Sequence, residues 1–410
     1  MSFNSALSGL NAASQDLDVI GNNVANSGTV GFKQSQIDFA DVYANSLASN
    51  VSLEVGTGTR VAQVAQQFTQ GTITTTSNPL DVAINGDGFY RLDNNGTITY
   101  SRNGQFQVDK NGYIINSNGN RLMGYGATAA GKITSGAVSD LQINTANMPP
   151  KATSTVGNGL NLNSTSTVPA NAFNINDPTS YNNSTSVTVY DSLGNAHTLQ
   201  TYYALTSTSN TWNVYASLDG TPVGYTPPAA AVPVTTLAFN SSGALSTGSP
   251  VTFSLPLTNG AATPQSVQLN YTGSTQYGAS FSVNALSQDG YTTGQLSNFS
   301  IGKDGTITGN YTNTQTAVLG QVVLANFTDP NGLQPLGSNE WAVTAASGPE
   351  LVGAPGSSSL GVLQSSAVEN SNVDLTNQLV NMITAQRDYQ ANAQTIKTED
   401  AITQTLINLR

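Results

Sequence analysis

Hydrophobic residues recur every seven positions at both ends of this chain, while between the ends the period is two. Phe3, Leu10, Leu17 and Val24 form one N-terminal row; Ala6, Ala13 and Ile20 form a second, with Leu7 beside the seam. At the C-terminus Leu375, Met382, Tyr389 and Ile396 are spaced by seven, and Leu379, Gln386 and Ala393 make the second row. Ile402, Leu406 and Leu409 continue this stripe after a phase slip near Lys397. A seven-residue period suits an α-helix that offers a narrow apolar seam to another helix. A helix packed on its own domain presents a broader face. The spacing therefore predicts two terminal helices that pair with each other or with neighbouring copies. Asn22, Asn23, Asn26 and Gly28 mark the end of the first. Ser371 followed by Asp374 resembles a capping box at the start of the second. Neither Pro nor Gly interrupts residues 372–410, so that helix could reach ~55 Å.

The middle of the chain alternates. Asn95-Gly96, Asn103-Gly104, Asn111-Gly112 and Asn118-Gly119 each separate short runs rich in Tyr, Phe, Ile and Val. Asn and Gly tolerate the positive φ of tight turns, so this is the pattern of successive β-hairpins. The texture returns at Asp304-Gly305. Between these two regions, residues 147–285 hold four charged side chains, Lys151, Asp177, Asp191 and Asp219, among further strand-like runs. The order reads as one β-domain inserted into another: a helical segment 1–33, a connector 34–77, a nested β-domain of 78–146 with 286–352, an inserted β-domain 147–285, a linker 353–371 and a helix 372–410. The expected fold class is mostly β and multidomain, with α-helical N- and C-terminal segments. Nested, discontinuous β-domains are accompanied by a coiled-coil-like helix pair. No alternation of strand and helix suggests a doubly wound nucleotide-binding fold.

Composition narrows the function. Charged residues are 9% of the 410 residues, and the net charge is −11 with twelve scattered Lys and Arg. Nucleic-acid binding needs clustered basic residues, so no nucleic-acid partner is expected. There is no cysteine, which removes disulfides, thiolate metal sites and thiol nucleophiles. No stretch approaches the ~20 apolar residues of a membrane span, so no membrane insertion is expected. The first basic residue is Lys33 and no apolar run precedes it. That leaves a cytoplasmic protein or one exported without a cleaved signal peptide.

The residues that could carry chemistry are few. His197 is the single histidine, and with Asp191 it sits in what reads as a hairpin turn. A Ser–His–Asp arrangement is conceivable there, but a solvated strand residue is the expected role. Asp81, Asp87 and Asp93 lie near Gly86 and Gly88. Their spacing misses the EF-hand pattern, and ordinary turn chemistry explains them. No catalytic residue, metal site or cofactor is predicted.

Three motifs add a family. The runs Leu7 to Ala13, Ile20 to Asn26 and Gly31-Phe32-Lys33, the stretch NPLDVAINGDGFYRL at 78–92, and the ending from Gln386 to Arg410 resemble the flagellar rod and hook proteins. The middle is similar to the hook branch. Val189 to Asn195 with His197 and Leu199 resembles its inserted domain, as does the block from Phe299 to Tyr311 with Asn331-Gly332-Leu333 and Trp341. Rod proteins are usually shorter and lack such an insertion. The resemblance implies a homopolymer: a tubular universal joint outside the cell, with terminal helices inside and β-domains outside. It also implies export by the flagellar type III apparatus, and contacts with a distal rod protein, a hook cap protein and a hook–filament junction protein. On this reading Leu7, Leu10, Leu17, Ile20, Val24, Leu375, Leu379, Met382, Tyr389 and Ile396 form the polymerisation interface. The alternatives are a distal rod protein and, further off, a secreted β-rich adhesin.

Overall fold

The computed structural model describes residues 3–42, 56–128, 131–225 and 229–408. Leu409, placed on the terminal stripe above, lies outside them. The chain divides into two compact units. The first comprises residues 1–145, 298–310 and 316–410; the second comprises 146–297 and 311–315.

In the first unit the helices are α1, Phe3–Ala25, and α2, Leu375–Asn408. They pack against each other. The row of α1 turned inward is Ala6, Ala13 and Ile20, joined by Ala12 and Asn23. Phe3 and Leu7 are exposed, and Leu10, Leu17 and Val24 are half-buried. On α2 the inward row is Gln378 and Ala385, continued seven and fourteen residues later by half-buried Asn392 and Glu399. This differs from the leucine seam read from the sequence. The reason is distance: Ala and Gly let the helices approach closely. A Cβ on Gly9 would lie 2.7 Å from the Asn392 amide oxygen, so a larger side chain there would require the Asn392 side chain to move.

The capping box is also different. Asp374, not Ser371, is the N-cap: its Oδ1 accepts from the backbone N–H of Thr376 at 2.9 Å and of Asn377 at 3.2 Å. Ser371 Oγ instead accepts from the Val373 N–H. The connector 34–77 contains an antiparallel hairpin, Ser35–Val42 with Gly58–Gln66, bulged between Asp38 and Phe39. It lies along α1, where the Thr59 N–H donates to Ser8 Oγ.

The hairpins of the β-region follow the Asn-Gly pattern with one exception. Phe89–Asn94 and Thr97–Ser101 are joined by Asn95-Gly96, both at positive φ. Asn118-Gly119 turns the chain between Ile114–Asn116 and Arg121–Ala127. Asn103-Gly104 is no tight turn. A Cβ on Gly104 would collide with the Val82 carbonyl, and the Val82 N–H donates to the Gly104 carbonyl. Glycine is there for close backbone approach. Strands from after the insertion complete the same sheet: Leu324–Asn326 pairs with Phe89–Asn94, and Thr316–Val322 with Arg121–Ala127. Phe89, Tyr100, Phe327 and Trp341 form the aromatic centre of this core. The stretch 353–371 is no free linker. Val362–Ser365 pairs with Val82–Asn85, and Ala367–Glu369 with Ile73–Thr75.

The second unit packs a five-stranded and a six-stranded sheet around Leu160, Leu162, Tyr203, Trp212, Leu269 and Tyr271. The strand Ser282–Gln288, which crosses the boundary expected at 285, pairs with Thr155–Asn163 inside this unit. Its entering and leaving segments run side by side. Met148 and Gly294 exchange backbone hydrogen bonds at 2.7 and 3.2 Å, as do Lys151 and Tyr291 at 2.9 and 3.0 Å.

Candidate assembly interface

The terminal helices are tied to the β-region by buried polar groups that the periodicity did not reveal. Asn23, expected only as a stop signal, is buried. Its Nδ2 donates to the Ser35 carbonyl at 2.8 Å, and its Oδ1 accepts from the Ser35 N–H at 2.9 Å. Nδ2 also reaches Gln378 Oε1 on α2 at 3.4 Å. One amide thus fixes the end of α1, the start of the first strand and the first turns of α2.

Deeper, three charges meet. Glu369 Oε1 accepts from Lys33 Nζ at 2.7 Å and from the Gly71 N–H at 2.9 Å. Its Oε2 accepts from Arg102 Nε at 3.0 Å and Nη2 at 2.9 Å. Lys33 Nζ also donates to the Thr69 carbonyl, and Arg102 Nη1 to the carbonyls of Gly86 and Gly88. All three side chains are buried. Burial, and next the Arg102 charge, push the Lys33 ammonium below its ordinary pKa, against the pull of Glu369. The cluster joins the N-terminal motif Gly31-Phe32-Lys33, the turn Gly86-Asp87-Gly88 and the strand leading to α2. A lone Glu in a polar stretch carries no periodic signal, so Glu369 was invisible in the sequence.

The helices leave several large apolar side chains uncovered. Leu375 and Leu379 are each 45% exposed, Val380 58% and Ile383 52%. Of the predicted interface residues, Leu7, Leu375, Leu379 and Tyr389 are exposed on the single chain. Leu10, Leu17, Val24, Met382 and Ile396 are half-buried, and Ile20 is covered by its own chain. Every described side chain from Ala401 to Asn408 is exposed.

His197 is not the solvated strand residue expected from the sequence. It is held between two carboxylates, with Nδ1 2.6 Å from Asp219 Oδ2 and Nε2 3.3 Å from Asp191 Oδ2. Asp191 is buried and also accepts from the N–H groups of Leu193 and Asn195 and from the side-chain amides of Asn195 and Asn259. Ser192 Oγ, from the serine nearest His197 in sequence, accepts from the Ala262 N–H. The arrangement staples a hairpin to two loops. Burial lowers the imidazole pKa, but the hydrogen bonds to Asp219 and Asp191 more than offset it, and the net direction is up. A raised pKa stabilises the fold fully below the unfolded value near 6.5 and loses that contribution as pH rises through the folded value. The second unit should therefore melt lower at pH 9 than at pH 6. His197→Gln should flatten this dependence and cost about 1 kcal/mol at pH 6, because Asp219 is half-exposed. Thermal melts monitored at Trp212 check both; an unchanged pH slope in the variant would remove the staple. Of the three aspartates considered for calcium, two serve turns: Asp93 Oδ1 accepts from the Gly96 N–H and Asp81 Oδ1 from Asn78 Nδ2; the Asp87 carbonyl accepts from the Gly361 N–H.

Known proteins match this layout segment by segment. Residues 3–33 match the flagella basal body rod protein family, and 83–189 the flagellar hook protein FlgE/F/G D1 domain. Residues 161–291 match the flagellar basal body protein FlaE D2 domain, and 364–409 the flagellar basal body rod FlgEFG protein C-terminal family. The flagellar hook protein FlgE of Salmonella typhimurium is 46% identical over 415 residues, covering all of both chains. That of Escherichia coli is 44% identical with the same coverage. That of Borreliella burgdorferi is 31% identical over 447 residues, covering 100% of this chain and 99% of its own. The crystal structure of Helicobacter pylori flagellar hook protein FlgE2 has a TM-score of 0.52 at 14% identity, covering 72% of this chain and 100% of its own, which supports the fold. Two terminal helices with an uncovered apolar face, a β-region interrupted by a second β-unit, and full-length identity well above 30% together place this chain in the flagellar hook protein family.

Proposed function

We propose that this chain is a structural subunit of the bacterial flagellar hook, polymerising with its own copies through the terminal helices into a tube outside the cell. The observation that carries this reading is the uncovered apolar face of Leu375, Leu379, Val380 and Ile383 on a helix already paired with α1. Four large side chains in contact with water on one helix suit a surface that another subunit covers. The seam residues expected from the sequence supply the remaining contacts, with Leu10, Leu17 and Val24 on α1 half-available. The tube would act as a universal joint that passes torque from rod to filament. Close helix packing would resist twist, while outer β-units would slide as the tube bends. Residues 147–285, with four charges, offer few fixed ion pairs to hinder sliding. A distal rod protein, a hook cap protein and a hook–filament junction protein would meet its two ends. The flagellar type III apparatus would export it. The role is structural rather than enzymatic.

The paired backbone at Met148–Gly294 and Lys151–Tyr291 brings the ends of the second unit together. Replacing 147–296 with a short Gly-Ser bridge is therefore expected to leave the first unit folded. Electron micrographs of the purified full chain should show tubes, and the truncated chain should still form tubes with altered curvature. A full chain that stays monomeric under all polymerising conditions would end this reading.

A further inference from the structure

A groove of about 540 Å³ runs between α1, α2 and the strand Ser35–Val42. Asp16 on α1 and Asp388 on α2 face each other across it. Burial, and next the Asp388 charge, push the Asp16 carboxyl above the usual carboxylate range. Among the described residues no Lys or Arg forms an ion pair with either. Phe39, 48% exposed, lines the same groove. A groove with a carboxylate on each helix, neutral amides such as Asn381 and Gln36 around them and the Phe39 ring at the strand suits a cation with an apolar stem.

The opposite side of α2 carries such a group. Leu379, Ile383 and Arg387 are spaced by four and Val380 lies among them, so they share one face. Arg387 forms no ion pair with any described residue. Successive residues on a helix point ~100° apart. Arg387 and Asp388 therefore address different neighbours although they adjoin in sequence.

We propose that these are the two halves of one head-to-tail contact: the Leu379–Val380–Ile383–Arg387 face of one copy seats on the Asp16–Asp388–Phe39 groove of a second, with Arg387 between the carboxylates. This rests on polymerisation through the terminal helices and names the residues that would carry it. Because the two surfaces differ, the contact does not close on itself as a dimer; each added copy leaves one free face and one free groove, as an open helical assembly requires. The planar guanidinium can donate to two carboxylates at once, and its methylenes can lie along Phe39.

The test is a charge exchange in the full-length chain, read as the critical concentration for sedimentable polymer. Arg387→Glu, and separately Asp16→Lys with Asp388→Lys, should each raise that concentration about tenfold or more. Combining all three should bring it back to within a few-fold of the parent. Circular dichroism and melting check that each variant folds. If the lysine pair loosens α1 from α2, Asp16→Asn with Asp388→Asn replaces it, and Arg387→Gln should then have no further effect in that background. Parental polymerisation of either Arg387→Glu or the Asp16→Lys, Asp388→Lys pair, or an equal effect of Arg387→Gln in both backgrounds, would overturn the contact. Ile383→Asp separates the two levels. If it blocks assembly while the charges show no coupling, the helices assemble through another contact and only this proposal falls. If it too polymerises like the parent, assembly through the terminal helices falls with it.

Discussion

Glu369→Gln should lower the unfolding free energy of the first unit by about 3–5 kcal/mol, the range for removing one partner of a buried charge group. Among the described residues Glu369 is the single carboxylate paired with Lys33 and Arg102. Without its charge two buried cations face each other with only carbonyls to receive them. Lys33→Met should cost far less, about 1 kcal/mol, because it leaves a balanced Arg102–Glu369 pair and removes an ammonium whose pKa is already depressed. The asymmetry is the informative part. Calorimetry should show the transition of the first unit moving while that of the second stays in place, since the cluster lies wholly within the first. Equal losses from the two substitutions would mean that the carboxylate does not hold the cluster together.

The second large effect concerns assembly. Leu379→Asp should leave the monomer almost unchanged, within about 0.5 kcal/mol, because the side chain is 45% exposed before assembly. In a polymer that covers this face, the carboxylate would have to be buried unpaired at a cost of several kcal/mol. A loss of ~3 kcal/mol per contact raises the critical concentration by roughly a hundredfold. Leu17→Asp should act in the same direction, with a larger cost to the monomer because Leu17 is half-buried against its own chain. Ser209→Asp, on an exposed loop of the second unit, is the control and should polymerise normally. Sedimentation under polymerising conditions, beside melting curves of the soluble chain, checks the set. Normal polymer from both leucine variants would take the terminal helices out of the assembly mechanism.

Much of the architecture was legible because it is written in local preferences. The seven-residue period placed α1 and α2 within about three residues at each end. The Asn-Gly pairs placed most of the hairpins, since positive φ at Asn95 and Gly96 is a property of those residues wherever they occur. Within 147–285, read as strand-like, the structure has strands Asn183–Tyr190, Thr211–Leu218, Val251–Leu255 and Gln265–Asn270 among others.

The tertiary structure decided what local preference cannot encode. Which of two heptad rows faces inward depends on how closely the helices approach. Small Ala6, Ala13 and Ala385 are buried in the first unit, and Gly9 lies against the Asn392 side chain. Whether Asn103-Gly104 turns the chain depends on the Val82 carbonyl lying where a Cβ would be. His197 looked solvated until Asp219, twenty-two residues away, was brought to its other side. Glu369 had no sequence signature, because its partners Lys33 and Arg102 are 336 and 267 residues distant. The sequence alone determined the terminal helices and most of the hairpins, since these follow from patterns a few residues long. Only the folded chain determined which polar groups meet across hundreds of residues, because burial and pairing of charge depend on every element arriving at one place.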